Sequence, residues 1–270
     1  MSTSTGPLIY VGKHRVLYIG PSYGMRTRKY GAAALLVAMD GPMKVVRAEG
    51  SEVITTRIAL LSPSLAVKVA APEHERVAVL FLDVYQRDFL MLRRVMRKSV
   101  DGILFDMDAE EQCTAEFRAL GGDERISGSR FARFQLLGLP EDPLANPVDP
   151  IDGRIVDVIN FIRQNPQVRS FTTSDIALRL HLSLPRVVQL FRTHIGVSFG
   201  TYQNWHRIHC AVVSVAQGHS FTRAAVDAGF VDLSHFCNTF KRMFGINASH
   251  FLSSHGESSF LIDPAAGFNS

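Results

Sequence analysis

A chain of 270 residues with 46% hydrophobic content is long enough for two cores and too apolar for wholesale disorder. It has no run of about 18 apolar residues, and its first residues, MSTSTGPLIYVGKHR, lack the parts of a secretory signal, so a cytoplasmic protein with no membrane partner is expected. Three widely spaced cysteines, Cys113, Cys210 and Cys237, make no disulfide framework, and the net charge of +4 is modest.

Residues 8–84 alternate short apolar or β-branched runs with turn signals: LIYVG, RVLYIGP, AAALLVAMDGP, MKVVRAEG, SEVITTRIALLSP, LAVKVAAP and RVAVLFLDV. Asp40-Gly41-Pro42 and Glu49-Gly50-Ser51 punctuate runs of strand length, which predicts a small antiparallel sheet closing into a barrel or sandwich. From Tyr85 to Leu137 the pattern turns helical, with Phe89, Leu92 and Met96 on one face and Arg93, Arg94, Arg97 and Lys98 on the other. That helix has two possible partners, the sheet or a second subunit.

Residues 138–150 hold Pro140, Pro143, Pro147 and Pro150, which exclude regular helix and central strand and mark a linker. Beyond it, Ile151, Ile155, Val158, Ile159 and Ile162 recur at helical spacing until Asn165-Pro166. The segment from Pro166 to Leu252 is basic: Arg169, Arg179, Arg186, Arg192, Arg207, Arg223, Lys241 and Arg242 stand against Asp175, Asp227 and Asp232. Such an excess suits a polyanionic partner, although solvated faces carry it too.

The same segment repeats itself. Leu190-Phe191-Arg192-Thr193-His194-Ile195-Gly196-Val197 matches Thr239-Phe240-Lys241-Arg242-Met243-Phe244-Gly245-Ile246 at an offset of 49. In the first copy a short helix over 174–180 precedes one capped by Ser183 and stopped by Gly196. The second copy runs from Phe221, turns at Gly229, and resumes after Asp232 or Ser234 toward Gly245. Its first helix fits an offset of 48, so its turn is one residue longer. Phe199 to Gln217 reads as one helix joining the copies. Two helix-turn-helix units on a rigid connector are suited to successive major-groove turns of DNA, roughly 34 Å apart.

His235 and Cys237 at first suggest a metal site, but residues at i and i+2 point to different parts of a helix and cannot clamp one ion. Phe230, Phe236, Phe240 and Phe244 have core spacing, which argues against a base-stacking platform.

Residues 151–252 resemble the DNA-binding domain of the AraC/XylS family of bacterial transcription regulators. The resemblance rests on Gly229-Phe230, Asp232, Ser234-His235-Phe236, Phe240-Lys241-Arg242 and Phe244-Gly245, and earlier on Ser183, Leu190-Phe191, Gly196-Val197, Tyr202 and Arg207-Ile208. The chain departs from the family pattern at Ile246-Asn247-Ala248, where Pro is usual, at Ala224 in place of a larger aliphatic, and at His181, where the first turn often has Gly. The N-terminal part is similar to the cupin-like barrel of many such regulators. Metal-holding cupins use strand histidines, and only His14 and His74 precede the linker, so no metal is expected and no cofactor is implied.

The expected fold class is therefore α+β. A small cupin-like barrel with helices over 1–137 and a linker over 138–150 precede an all-α DNA-binding domain over 151–256, and 257–270 is a flexible tail. Within that domain the units lie at about 173–194 and 221–244, with the connecting helix at about 199–217. In the first unit Pro185, Arg186, Gln189 and Arg192 are the expected DNA contacts, Arg186 and Gln189 at base edges and Arg192 at phosphate. In the second they are Leu233, Ser234, His235, Cys237, Asn238, Lys241 and Arg242, with Asn238 as base reader and Ser234 and His235 at a helix N-terminus that favours phosphate.

The resemblance implies a regulator, more often an activator, that binds double-stranded promoter DNA, with RNA polymerase, a small effector and a second copy of itself as further partners. The alternatives are a cupin-type enzyme with an accessory DNA-binding domain and a regulator whose first domain binds another protein. The runs LIYVG and VAVLFLDV fit barrel wall and partner surface equally.

Overall fold

The structure is a computed structural model. It describes residues 7–12, 15–22, 27–50, 52–71, 75–84, 87–122, 152–165, 171–244, 247–249 and 259–262. The proline-rich segment 138–150 and the helix stop at Gly245 lie outside them.

The apolar runs of the first part form strands β1 (Leu8–Val11), β2 (Arg15–Pro21), β3 (Thr27–Lys29), β4 (Ala33–Ala38), β5 (Met43–Arg47), β6 (Val53–Thr56), β7 (Ile58–Leu61), β8 (Ala66–Ala70) and β9 (Arg76–Leu82). Two further strands, β10 (Lys98–Val100) and β11 (Ile103–Phe105), follow helix α1 (Arg87–Val95), and helix α2 (Glu110–Gly122) comes next. A large sheet has the order β10-β11-β7-β4-β9-β2-β1-β12, where β12 is Ser259–Ile262, and a small one the order β3-β8-β5-β6.

The strands at the centre of the large sheet, β2, β4 and β9, are apolar on both faces because both are covered. One face, with Val16, Tyr18, Ala34, Leu36 and Phe81, packs on Met43, Val45, Ile54, Val67 and Val69 of the small sheet. The other, with Leu17, Ile19, Leu35, Leu80 and Leu82, packs on Phe89 and Leu92 of α1 and on Cys113, Phe117 and Leu120 of α2. The apolar face of α1 is thus covered by its own chain.

The helical pattern expected from Tyr85 onward is broken. Asp101 and Gly102, with φ of 50° and 83°, make a two-residue turn, and the run Ile103-Leu104-Phe105 pairs with β7 as a strand. An Asp-Gly turn between short runs is a hairpin signal, and here it overrides the helical period.

The second part is helical among its described residues: α3 (Gly153–Gln164), α4 (Thr173–Arg179), α5 (Leu184–Ile195), α6 (Phe199–Ala216), α7 (Phe221–Asp227) and α8 (Leu233–Phe244). Ile155, Val158, Ile159 and Ile162 are the buried stripe of α3. The connecting helix α6 is buried over much of its length, from Phe199 to Val215.

A last strand, β12 (Ser259–Ile262), returns to the large sheet and pairs in parallel with β1, Leu8 opposite Ser259 and Val11 opposite Ile262. The expectation of a flexible tail over 257–270 fails at these four residues. The Phe260-Leu261-Ile262 run has strand propensity, and the open edge of β1 supplies the partner that local sequence does not reveal.

The two parts share a core. Phe81 of β9 meets Tyr30, Trp205 of α6 and Phe244 of α8 at ring-centroid distances of 5.5, 6.2 and 4.8 Å. Gly31 N–H donates to Met243 O at 3.2 Å, and a Cβ on Gly31 would collide with the Met243 methyl, so a larger residue there forces Met243 aside.

Candidate nucleic-acid interface

The duplication seen in sequence is present in the cap and the turn of each unit's first helix. Thr172 caps α4 by accepting from Asp175 N–H at 3.3 Å, and Ser220 caps α7 by accepting from Arg223 N–H at 3.3 Å. At the other ends Leu182 N–H donates to Ala177 O and Phe230 N–H to Ala225 O, the Schellman pattern in both. His181 and Gly229 take the left-handed turn position, with φ of 53° and 89°. All these pairs are 48 residues apart. From Leu184 and Leu233, where α5 and α8 begin, the offset is 49. The extra residue lies in the second turn.

The helix entries differ. Ser183 stands at the N-cap of α5 but makes no capping hydrogen bond, and Pro185 pre-sets the first turn. In α8 the Asp232 carboxylate accepts from His235 N–H at 2.7 Å. That N–H, expected to favour a phosphate, already meets an anion, so this helix start does not support the phosphate expected at Ser234 and His235. His235 Nδ1 accepts from Val231 N–H at 3.5 Å, and its ring stands edge-on to Phe230.

Apolar residues decide how each second helix is turned. Val187, Leu190, Phe191 and Ile195 hold α5, and Phe236, Phe240, Met243 and Phe244 hold α8. Pro185, Arg186, Gln189 and Arg192 are consequently turned away from the core on α5, and all four are exposed. On α8 Ser234, His235, Asn238, Lys241 and Arg242 share the outward side, while Leu233 and Cys237 are half-buried. Gln189 and Asn238 stand at equivalent places, and Thr193 is exposed opposite Arg242 in the repeat. Sequence reading passed over Thr193, although the 49-residue offset points to it.

Arg186 Nη1 donates to Gln189 Oε1 at 2.8 Å. The Gln189 amide therefore turns its NH2 outward beside the guanidinium, a row of donors that suits acceptor edges such as guanine O6 and N7. Among the exposed cations, Arg179 lies over the Phe161 ring at 4.7 Å and Arg223 faces Asp227 at 3.4 Å, while Asp232 remains the acidic neighbour of α8.

Leu178 is 76% exposed and Val226 37%, again at the 48-residue offset, and Val231 in the second turn is 70% exposed. Single exposed apolar residues are ordinary on a folded chain.

Sequence reading also missed a polar cluster between the two parts. Asp83, just beyond the end of β9, accepts from Arg163 Nη2 at 2.6 Å and from Tyr202 Oη at 2.8 Å. His209 Nε2–H donates to Gly12 O at 2.6 Å, and the His206 ring lies parallel to that of His209 at 6.3 Å. Burial pushes the His206 imidazolium down to about 3, so the ring is neutral. Burial likewise pushes the Cys113 and Cys210 thiols up to about 12, which leaves them unreactive. No group of three or more His, Cys, Asp or Glu fit to hold a metal ion stands among the described residues, and no helix among them is long and apolar enough to cross a membrane.

Comparison with known proteins agrees with this geometry. Residues 176–254 match the family described as a helix-turn-helix domain. The transcriptional activator RhrA of Rhizobium meliloti is 25% identical over 230 residues, covering 80% of this chain and 71% of that one. An apo point variant of ToxT from Vibrio cholerae has the same fold, with a TM-score of 0.56 at 14% identity over 89% of this chain and 97% of that one. ToxT bound to (E)-4-(8-methylnaphthalen-1-yl)but-3-enoic acid superposes with a TM-score of 0.54 at 14% identity, covering 89% and 99%. The resemblance of residues 151–252 to AraC/XylS regulators, and an α+β fold with strands before helices, are borne out.

Proposed function

We propose that this chain is a sequence-specific DNA-binding transcription regulator of the AraC type, an activator, controlled through its N-terminal domain by a small molecule. The observation that carries the reading is the duplicated unit, in which equivalent side chains, Gln189 and Asn238, stand at the centre of two basic faces. Two such helices on the continuous α6 can enter successive major-groove turns of promoter DNA. The N-terminal domain contributes no DNA-facing element in this reading. It acts as sensor and as a surface for a second copy, in the cytoplasm, and RNA polymerase is the downstream partner.

An effector with a carboxylate is the chemistry to test first. ToxT has been crystallised with such an acid. Here Arg28, only 8% exposed, places a guanidinium within 3.5 Å of the Tyr30 hydroxyl on the β3 side of the sandwich. A carboxylate entering there would meet a poorly solvated cation.

Regulation is favoured over enzymatic activity because the duplicated helix-turn-helix unit accounts for the exposed polar faces of α5 and α8, while Arg163 and Tyr202 are taken up in pairing with the buried Asp83.

Titration of labelled duplexes with the full chain tests the reading. Genome-wide mapping of bound sites supplies the duplex, and affinity for it should exceed that for random DNA by about a thousandfold at physiological salt. Equal affinity for both would end the proposal. Thermal shift with aliphatic and aromatic acids, and with their amides as controls, tests the effector class.

A further inference from the structure

β1 is a strand with nothing of its own to protect its outer edge. Its residues Leu8-Ile9-Tyr10-Val11 carry no charge and no proline, and Ile9, Tyr10 and Val11 are wholly buried. One edge is satisfied by β2 in antiparallel register, Leu8 opposite Ile19. The other would present bare backbone N–H and C=O groups beside apolar side chains, the feature that sheets elsewhere blunt with charges, bulges or covers. In this molecule the cover is β12, in parallel register over four residues.

β12 belongs to the part of the chain that follows the second helix-turn-helix unit. Residues 245–258 connect it to α8, whose last turn is itself fixed to the first part by the Gly31–Met243 hydrogen bond and by Phe244 against Phe81. Where β1 ends, Gly12 O accepts from His209 of α6. One short strand of the N-terminal sheet is thus gripped by the connecting helix and by the segment beyond the second recognition helix.

We propose that the outer edge of β1 is a strand-docking site whose occupant is the chain's own segment 259–262, and that this docking straps the second helix-turn-helix unit to the N-terminal sheet. The strap adds to the hold that the Gly31–Met243 hydrogen bond and the Phe81–Phe244 contact already exert on α8. It removes freedom that the second unit would otherwise lose on meeting DNA, so an undocked chain binds a complete two-part site more weakly. The docking is a property of the fold alone. Its effect on DNA rests on the regulator reading above.

The test uses the full chain, a variant lacking residues 259–270, and a full-length Leu261→Pro variant, in which the ladder loses an N–H without loss of length. Hydrogen exchange should accelerate in β1 of both variants while β4 and β9 keep their protection. A labelled synthetic peptide, GESSFLIDPA (residues 256–265), should bind the shortened chain saturably and the intact chain at least tenfold more weakly. The same peptide with Pro at position 261 should bind neither. Unchanged exchange in β1, or equal peptide binding to both chains, overturns the docking. A dimer of the intact chain in which the strand is exchanged between copies also overturns it, since the occupant is then a second molecule.

On mapped promoter DNA, the shortened chain should lose roughly tenfold in affinity for the complete site and little for the first unit's half-site. Equal affinity of intact and shortened chains would sink the strap's role while leaving the docking. Absence of any sequence preference in the intact chain would sink the regulator reading, and the exchange and peptide results would still decide the docking.

Discussion

Arg163, on the first helix of the C-terminal part, reaches 2.6 Å from the carboxylate of Asp83 beside the end of β9, with side chains 17% and 5% exposed. Tyr202 donates to the same oxygen. A buried charge with its partner removed is costly, so Asp83→Ala should destabilise the chain by about 3 kcal/mol or more. Urea denaturation measures this. In a double-mutant cycle with Arg163→Met the double variant should recover part of the loss, and strict additivity would mean the contact is not coupled.

Base reading and phosphate binding separate by salt and sequence. Asn238→Ala and Gln189→Ala should each cost about 1–3 kcal/mol on the preferred site and much less on random duplex. Arg192→Ala and Lys241→Ala should weaken all duplexes alike and reduce the salt slope by about one. If Asn238→Ala weakened every sequence equally, its role would be phosphate contact.

The two turns make a matched pair for a backbone test. His181 holds a left-handed φ of 53° that costs an L-residue about 1–2 kcal/mol, partly offset by the chain entropy glycine adds. His181→Gly should therefore raise stability by about 0.5 kcal/mol, and Gly229→Ala should lower it by about 1 kcal/mol. Melting temperatures of the two variants should move in opposite directions.

Acid should loosen the junction between the two parts. His206 has an ordinary value of 6.5, and burial brings it down to about 3 in the fold, the neighbouring His209 adding to the shift. Since the folded value is lower, the unfolded chain binds more protons between those limits. The contribution is present above about pH 6.5 and is lost as pH falls toward 3, on the order of 1–2 kcal/mol by pH 5. Denaturation midpoints at about pH 7.5 and about pH 5 should show this loss, and His206→Phe should reduce it.

The helical half was legible because its signals are local. Caps, left-handed turn positions and the periodic apolar faces of α5 and α8 all lie within a few residues of what they control, and repetition at 48 and 49 residues supplied a second reading of each. The outward faces carrying Gln189 and Asn238 followed from the apolar faces opposite. Thr193, paired with Arg242 in the repeat, escaped because it carries neither the charge nor the amide fork that marked its neighbours.

The strand-rich half was legible as strands but not as sheets. Its order of pairing depends on contacts between distant residues, which alternation of apolar residues does not encode. The hairpin at 98–105 was hidden because four basic residues near α1 and the spacing of Phe89, Leu92 and Met96 imitate a longer helix. Asp101-Gly102 was the available signal.

By itself the sequence determined the two-part organisation, the duplicated helix-turn-helix unit and which side chains of α5 and α8 face outward, because helix periodicity, caps and turn stereochemistry act over a few residues. Tertiary structure alone decided that Asp83 would meet Arg163 and Tyr202, that Phe244 would close on Phe81, and that residues 259–262 would become a strand. Each joins residues tens to hundreds of positions apart. In each case the gain comes from covering a buried charge, an apolar ring or an open backbone edge, and such a need can be met only after the chain has folded around it.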